Sequence, residues 1–141
     1  TGALEVALAA DFILAAESAK FADTHAKWAL TPIWGMSQRL PRRVGIATAK
    51  RLMFTAETVR ADAALNMGLC EAVFADETFE ADLRAFAQQI LANSAFSHAA
   101  NKRLLEATDN DALDAGLQWE IMENEGVGPD MQARIQAFMK G

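Results

Sequence analysis

The chain is poor in the residues that would crosslink it or hold a metal. Among 141 residues there is one cysteine, Cys70, and there are two histidines, His25 and His98. A lone thiol closes no internal disulfide, and one thiol with two imidazoles is too few for a recognisable zinc cluster. No metal is therefore expected, and a reducing, cytoplasmic compartment is. Positive charge is also short. Lys plus Arg number 13 against 19 Asp plus Glu, a formal net charge of -6. That is the wrong balance for gripping a phosphate backbone, so no nucleic-acid partner is expected. Long apolar runs are missing as well: Glu5, Asp11 and Glu17 interrupt the most hydrophobic stretch. None of its pieces approaches the ~20 residues of a bilayer span, which predicts a soluble chain with no membrane partner. The start has neither an initiator Met nor the basic-then-apolar pattern of a secretory signal. Thr1-Gly2 opens abruptly inside an apolar pattern, so a cut or partly observed chain is expected. Internal repeats and low-complexity tracts are absent.

What is present is globular in composition, 52% hydrophobic and 23% charged. The length allows one domain or a piece of one. Surface scaling gives roughly 7,000 Å² folded against roughly 22,000 Å² unfolded, enough burial for a real core.

The opening residues 2–10 are rich in helix formers, with Leu4 and Leu8 on one face, and predict a short buried helix. Residues 11–15 and 20–23 predict two short strands around a turn at Glu17-Ser18. Residues 31–41 hold two prolines and a glycine and predict a loop, with one short helix starting near Ser37. Two helices follow, over 45–55 and 59–67, the second ended by Gly68, and then a strand over 69–74. Thr78 is placed to cap a helix carrying Phe79, Leu83, Phe86, Ile90 and Leu91. Three more helices are predicted over 97–108, 111–123 and 129–139, with Pro129 in a first turn and Gly126 and Gly128 as breaks. Mixed strand and helix followed by helix alone predicts an α/β layer with a helical appendage.

Several residues could carry chemistry. Gly2 sits at a helix start, where unpaired backbone N–H groups can bind a developing oxyanion, or it merely begins the helix. Glu5 is the only charge between Gly2 and Ala10. Buried, such a carboxylate suits general acid or base work; otherwise it points to solvent or pairs with an Arg. His25 follows a predicted strand and precedes the Pro32 loop, a place for a proton-transfer group or for a hydrogen-bonded structural imidazole. His98 reads as surface. Trp28, Trp34 and Phe96 could line an apolar pocket or fill a core. Arg39, Arg42, Arg43, Lys50 and Arg51 form a local basic stretch that could hold an anion, although a solvated helical face is the commoner arrangement.

Read together, these pieces resemble the crotonase superfamily, the enoyl-CoA hydratase/isomerase fold. Residues 1–17 look like that family's glycine-rich helix start, catalytic Glu helix and following strand, and Lys20-Phe-Ala-Asp23 like the segment leading to its second catalytic position. Pro32-Ile-Trp-Gly-Met-Ser-Gln-Arg-Leu40 is similar to its Pro-x-x-Gly-Gly-Thr-Gln-Arg-Leu signature. Phe54-Thr-Ala-Glu57, Ala61, Ala63-Ala64 and Met67-Gly-Leu69 resemble its next conserved stretch, while the helical tail fits more loosely.

The resemblance implies a crotonase-like α/β core fragment over residues 1–76. It also implies an all-helical region over 77–141 that serves oligomerisation and acyl-pocket cover. It implies an acyl-CoA thioester substrate, coenzyme A arriving with the substrate rather than as a cofactor, and a homotrimer or hexamer. Gly2 falls on one of the two backbone donors of the oxyanion hole; the other belongs to a preceding half. Glu5 falls on the first catalytic Glu. His25, twenty residues on, stands where hydratases carry a second Glu. Trp28, Pro32, Trp34 and Gly35 fall along the substrate-binding loop, and Met36, in place of the second signature glycine, is expected to narrow the pocket. The implied activity is hydration of a 2-enoyl-CoA, with double-bond isomerisation or acyl-CoA binding without turnover as alternatives.

Overall fold

Leu4 and Leu8, one turn apart, drive the first element into the interior. The computed structural model describes residues 1–108 and 113–140, apart from the side chains of 113 and 114. Helix α1 (Gly2–Ala7) buries Leu4. It stops short of the predicted Ala10 because the amides of Ala9 and Ala10 reach only to the carbonyls of Val6 and Ala7, both at 3.0 Å, which tightens the exit turn. Strand β1 (Leu14–Ala16) then pairs in parallel with β4 (Ala72–Phe74), in register Leu14 to Ala72 through Ala16 to Phe74. The predicted strand begins three residues earlier. Ile13, just ahead of the ladder, is bound instead by Glu71, whose carboxylate accepts its N–H at 2.6 Å and whose N–H reaches its carbonyl at 2.9 Å.

Strand β2 (Lys20–Phe21) pairs antiparallel with β3 (Val59–Arg60). Val59 and Arg60 were expected to open a helix. Val59 is β-branched and buried against the core, an environment that favours the extended form, and helix α4 (Ala61–Asn66) begins only after Arg60. Helix α2 (Met36–Val44) starts within a residue of the expected Ser37 but runs through Pro41, where a loop was predicted. The proline removes one hydrogen bond, the one to Ser37, and that residue is exposed to water that can take its place. Gly45, at φ 78°, ends α2 and opens α3 (Ile46–Thr55) within a single residue, a corner that the positive φ requires. Met36 and Leu40 of α2, Ala49 and Leu52 of α3, and Leu4, Leu8, Ile13 and Leu69 form one buried cluster.

The chain divides into two compact units, Thr1–Arg84 and Ala85–Gly141. The cluster above is the core of the first. The remaining elements are α5 (Phe79–Leu91), α6 (Ala95–Thr108), α7 (Leu113–Met122) and α8 (Met131–Lys140). Thr78 does not cap α5 through a backbone amide; its hydroxyl donates to the Asp82 carboxylate at 2.6 Å. Helix α6 starts two residues before the predicted Ser97, because the His98 amide already bonds the Ser94 carbonyl. The predicted start of α7 at 111 lies outside the described residues. Ahead of α8, Asp130 accepts from Ser94 Oγ at 2.8 Å and from Arg134 Nε at 2.6 Å, and Arg134 also reaches the Ala92 carbonyl. No helix among the described residues is long and apolar enough to cross a membrane.

Candidate active site

Glu5 is a charged residue on a helix built for burial, and it is indeed 3% exposed. A buried carboxylate needs compensating hydrogen bonds. Two come from the backbone at the entrance to α2, where the N–H groups of Met36 and Trp34 donate to Glu5 Oε1 at 3.1 and 3.3 Å. They fix the rotamer of the carboxylate and leave Oε2 turned toward His25, whose Nε2 lies 3.9 Å away.

His25 opens a 3-10 turn (His25–Trp28) just beyond β2. Its backbone N–H and its ring Nδ1 both meet Asp23 Oδ1, at 3.0 and 2.5 Å. Nδ1 is therefore the nitrogen turned to Asp23, and Nε2 is the nitrogen that faces Glu5. A second tie holds the two elements together. The Thr24 N–H donates to Thr1 Oγ1 at 2.8 Å, and the two threonine hydroxyls bond to each other. The N-terminus of α1 is thereby fastened to the segment that carries His25.

Beside this pair lies a cavity of about 320 Å³ lined by Gly2, Glu5, His25, Trp28, Leu30, Ile33 and Trp34 among others. Trp28 and Trp34 are 70% and 59% exposed, so they form walls rather than core. Gly2 and Trp34 are in close approach: a Cβ on residue 2 would lie 3.3 Å from Trp34 Cζ3, inside ordinary contact distance. Among the residues singled out in the sequence, then, Gly2, Glu5, His25, Trp28 and Trp34 meet at one place. Pro32 and Gly35 are not among the lining residues. Gly35 serves the backbone instead, turning at φ 107° into α2 and accepting the amides of Gln38 and Arg39. Met36 does not narrow the cavity with its side chain, which is fully buried in the core; it contributes its N–H to Glu5. Phe96 lies in the second unit, lining a separate cavity of about 300 Å³ with Val127, Met131 and Ile135.

The basic stretch forms no common anion cradle. Arg39 donates to the Trp34 carbonyl, Arg43 to the Leu69 carbonyl and Glu71, and Arg51 to Glu57. Cys70 is buried, which pushes its thiol pKa up and takes it away from nucleophilic work. Three contributors were missed in the sequence: Asp23 and the backbone amides of Trp34 and Met36. Asp23 stood two residues before the candidate imidazole, a spacing that brings a carboxylate back onto Nδ1 when the chain turns. The amides carry no sequence signal.

Residues 1–139 match the family model described as Enoyl-CoA hydratase/isomerase. The crotonyl-CoA hydratase of Syntrophomonas wolfei is 35% identical over 112 residues, 79% of this chain and 42% of that protein. An enoyl-CoA hydratase structure from Bacillus anthracis superposes with a TM-score of 0.93 at 34% identity, covering 99% of this chain and 55% of the other. One from Mycobacterium avium gives a TM-score of 0.74 at 39% identity, over 86% of this chain and 55% of the other. The chain spans about half the length of the relatives it matches.

Proposed function

Because the chain belongs to the enoyl-CoA hydratase/isomerase family, we propose that Glu5 and His25 add water across the conjugated double bond of a 2-enoyl-CoA. The observation that carries this reading is the 3.9 Å separation of Glu5 Oε2 and His25 Nε2, on the wall of a cavity whose other sides are largely apolar. One water oxygen can hydrogen-bond both groups at that spacing. The apolar walls suit an acyl chain.

In this reading Glu5 accepts a proton from the water as the water oxygen bonds to the β-carbon. The π electron pair moves toward the thioester, and the resulting enolate oxygen is stabilised by the Gly2 N–H, an amide without an intrahelical acceptor at the start of α1. The enolate collapses by taking the Nε2 proton of a doubly protonated His25 onto the α-carbon. The proton left on Glu5 then passes back to Nε2 through the next water. The substrate has gained one hydroxyl and one hydrogen, and both side chains have returned to their starting states. Coenzyme A takes part only as the carrier half of a thioester that is never cleaved, so no separate cofactor is called for.

Trp28, Ile33 and Trp34 are assigned to holding the substrate, residues 1–76 to the core half of the site, and residues 77–141 to association into a homotrimer or hexamer. The exposed apolar side chains of Leu91, Ile121, Met122 and Phe138, 77–86% accessible, support the last assignment. Light scattering of the full-length protein reads it directly. A cytoplasmic location goes with the same reading.

The test is to mix the full-length protein with crotonyl-CoA, follow the conjugated-thioester absorbance and identify the product. A 3-hydroxyacyl-CoA is expected. A shifted double bond would make the protein an isomerase, which needs a single base, and binding without turnover would make it an acyl-CoA carrier.

A further inference from the structure

Asp23 is the most completely buried charged side chain of the site, 2% exposed, and it lies outside the pair to which the reaction has been assigned. Its polar contacts have one address. Oδ1 accepts from the backbone N–H and the ring Nδ1 of His25, and Oδ2 is buried with no hydrogen-bond partner among the described residues. On its other side is a cavity of about 10 Å³ walled by Leu4, Leu40, Leu52, Val59 and Leu69. Nothing in that apolar wall calls for a carboxylate, and burying one there is unfavourable unless it is paired. A neutral residue would pack better against that wall, so the carboxylate is accounted for by His25 alone, through its ring and its backbone N–H.

We infer that Asp23 is a positioning residue: through Nδ1 it fixes the tautomer and the ring orientation of His25, so that Nε2 is the nitrogen presented to Glu5. The inference rests on the hydratase reading for its consequence in turnover but not for its geometry. An imidazole whose Nδ1 is committed to a buried acceptor can exchange a proton only at Nε2. Without that acceptor the ring is free to rotate about χ2 or to carry its proton on the other nitrogen. Rotation withdraws Nε2 from the 3.9 Å approach to Glu5, and the other tautomer leaves Nε2 in place but with no lone pair to take a proton. The site is then a carboxylate–imidazole–carboxylate row, with the inner carboxylate touching no substrate.

The experiment has two readouts that fail separately. The first is ¹⁵N NMR of the full-length protein carrying His98→Gln, which leaves His25 as the single imidazole of this segment, at about pH 9, well above the ordinary imidazole value. The ring is expected as the Nδ1–H tautomer. An Nε2–H tautomer in this protein overturns the inference without any change at Asp23. The second is turnover of crotonyl-CoA by Asp23→Asn. Its amide can donate to Nδ1 and so reverse the tautomer. The expected result is Nε2–H in the spectrum and a kcat at least a hundredfold lower, with KM changed less than threefold and partial recovery in Asp23→Glu. An Asp23→Asn protein whose tautomer and kcat match the parent overturns the inference and leaves the hydratase reading standing. A parent that turns over no enoyl-CoA, but whose His25 switches tautomer in Asp23→Asn, overturns the hydratase reading and supports the positioning role.

Discussion

Replacing Glu5 by Gln changes the chemistry of the site while leaving its heavy-atom outline in place, and replacing it by Ala changes both. In Glu5→Gln the amide oxygen can take the position of Oε1 and still accept from Met36 and Trp34, now 3.1 and 3.3 Å away. Hydrogen bonds to charged groups contribute about 1.5–3 kcal/mol and neutral ones about 0.5–1.5 kcal/mol, so two weakened bonds cost about 2–3 kcal/mol. Relief from burying a charge at 3% exposure is of similar size and offsets most of that. The amide nitrogen, however, replaces the oxygen that faces His25 and has no lone pair for a proton. Loss of an acid/base group lowers kcat by about 10²–10⁴, or about 2.7–5.4 kcal/mol in the barrier. In Glu5→Ala the Met36 amide is left buried without an acceptor, at about 1–3 kcal/mol, with less from the partly buried Trp34 amide and a further term for the space left behind. Urea denaturation and hydration of crotonyl-CoA by the full-length protein measure the two effects. Glu5→Gln should be near the parent in stability and at least a hundredfold slower, and Glu5→Ala should be both slow and clearly less stable. A Glu5→Gln enzyme within tenfold of the parent would refute the acid/base role, and an Ala variant as stable as the Gln variant would refute the account of how the carboxylate is held.

Two further predictions concern the frame around the site and the second unit. Gly35→Ala places a side chain at φ 107°, in a conformation costing about 1–2 kcal/mol, and directs its Cβ onto the Arg39 guanidinium, which must leave the Trp34 carbonyl; urea denaturation should show a loss of at least about 1 kcal/mol, and an unchanged midpoint would contradict the assignment of Gly35 to the turn. The hydrogen bond from Arg134, with that from Ser94, holds the Asp130 carboxyl below the usual carboxylate range, so its stabilising effect is complete above the ordinary value of about 3.9 and is lost as pH falls through the lowered folded value; a side-chain ¹³C titration should give a midpoint below the ordinary one, and a midpoint at or above it would sink this account of the α8 start.

The elements legible in the sequence were those whose periodicity is local. Leu4 with Leu8, the stripe over 45–55 and the row from Phe79 to Leu91 each announce a helix within a few residues, and the helices are there. The misread elements depend on partners far away in the chain. Val59 and Arg60 look like the start of a helix until β2, almost forty residues earlier, supplies the strand they pair with. Ile13 loses its place in the ladder to Glu71, 58 residues on. Pro41 marks a break by every local rule, yet α2 passes through it because its inner face, Met36 and Leu40, is fully buried and its outer face is wet. Tertiary burial outweighs the single hydrogen bond a proline removes.

The site was legible to the same depth and for the same reason. Side chains of unusual type for their surroundings stood out: a carboxylate on an apolar helix, an imidazole at a strand exit, two tryptophans in a loop. The groups that make them work together did not, because they are backbone amides at Trp34 and Met36 and a carboxylate at Asp23 whose significance depends on where the chain turns. A sequence shows which residues could move protons, but the direction of each lone pair is set by its neighbours. Here those neighbours divide the work: the amides of Trp34 and Met36 take one oxygen of Glu5, Asp23 takes one nitrogen of His25, and the oxygen and nitrogen left over are the two that face each other. If either neighbour were removed, the same pair of side chains would remain in place with the wrong atoms opposed. The reactivity proposed for the pair therefore rests as much on these neighbours, invisible in the sequence, as on the two side chains that were not.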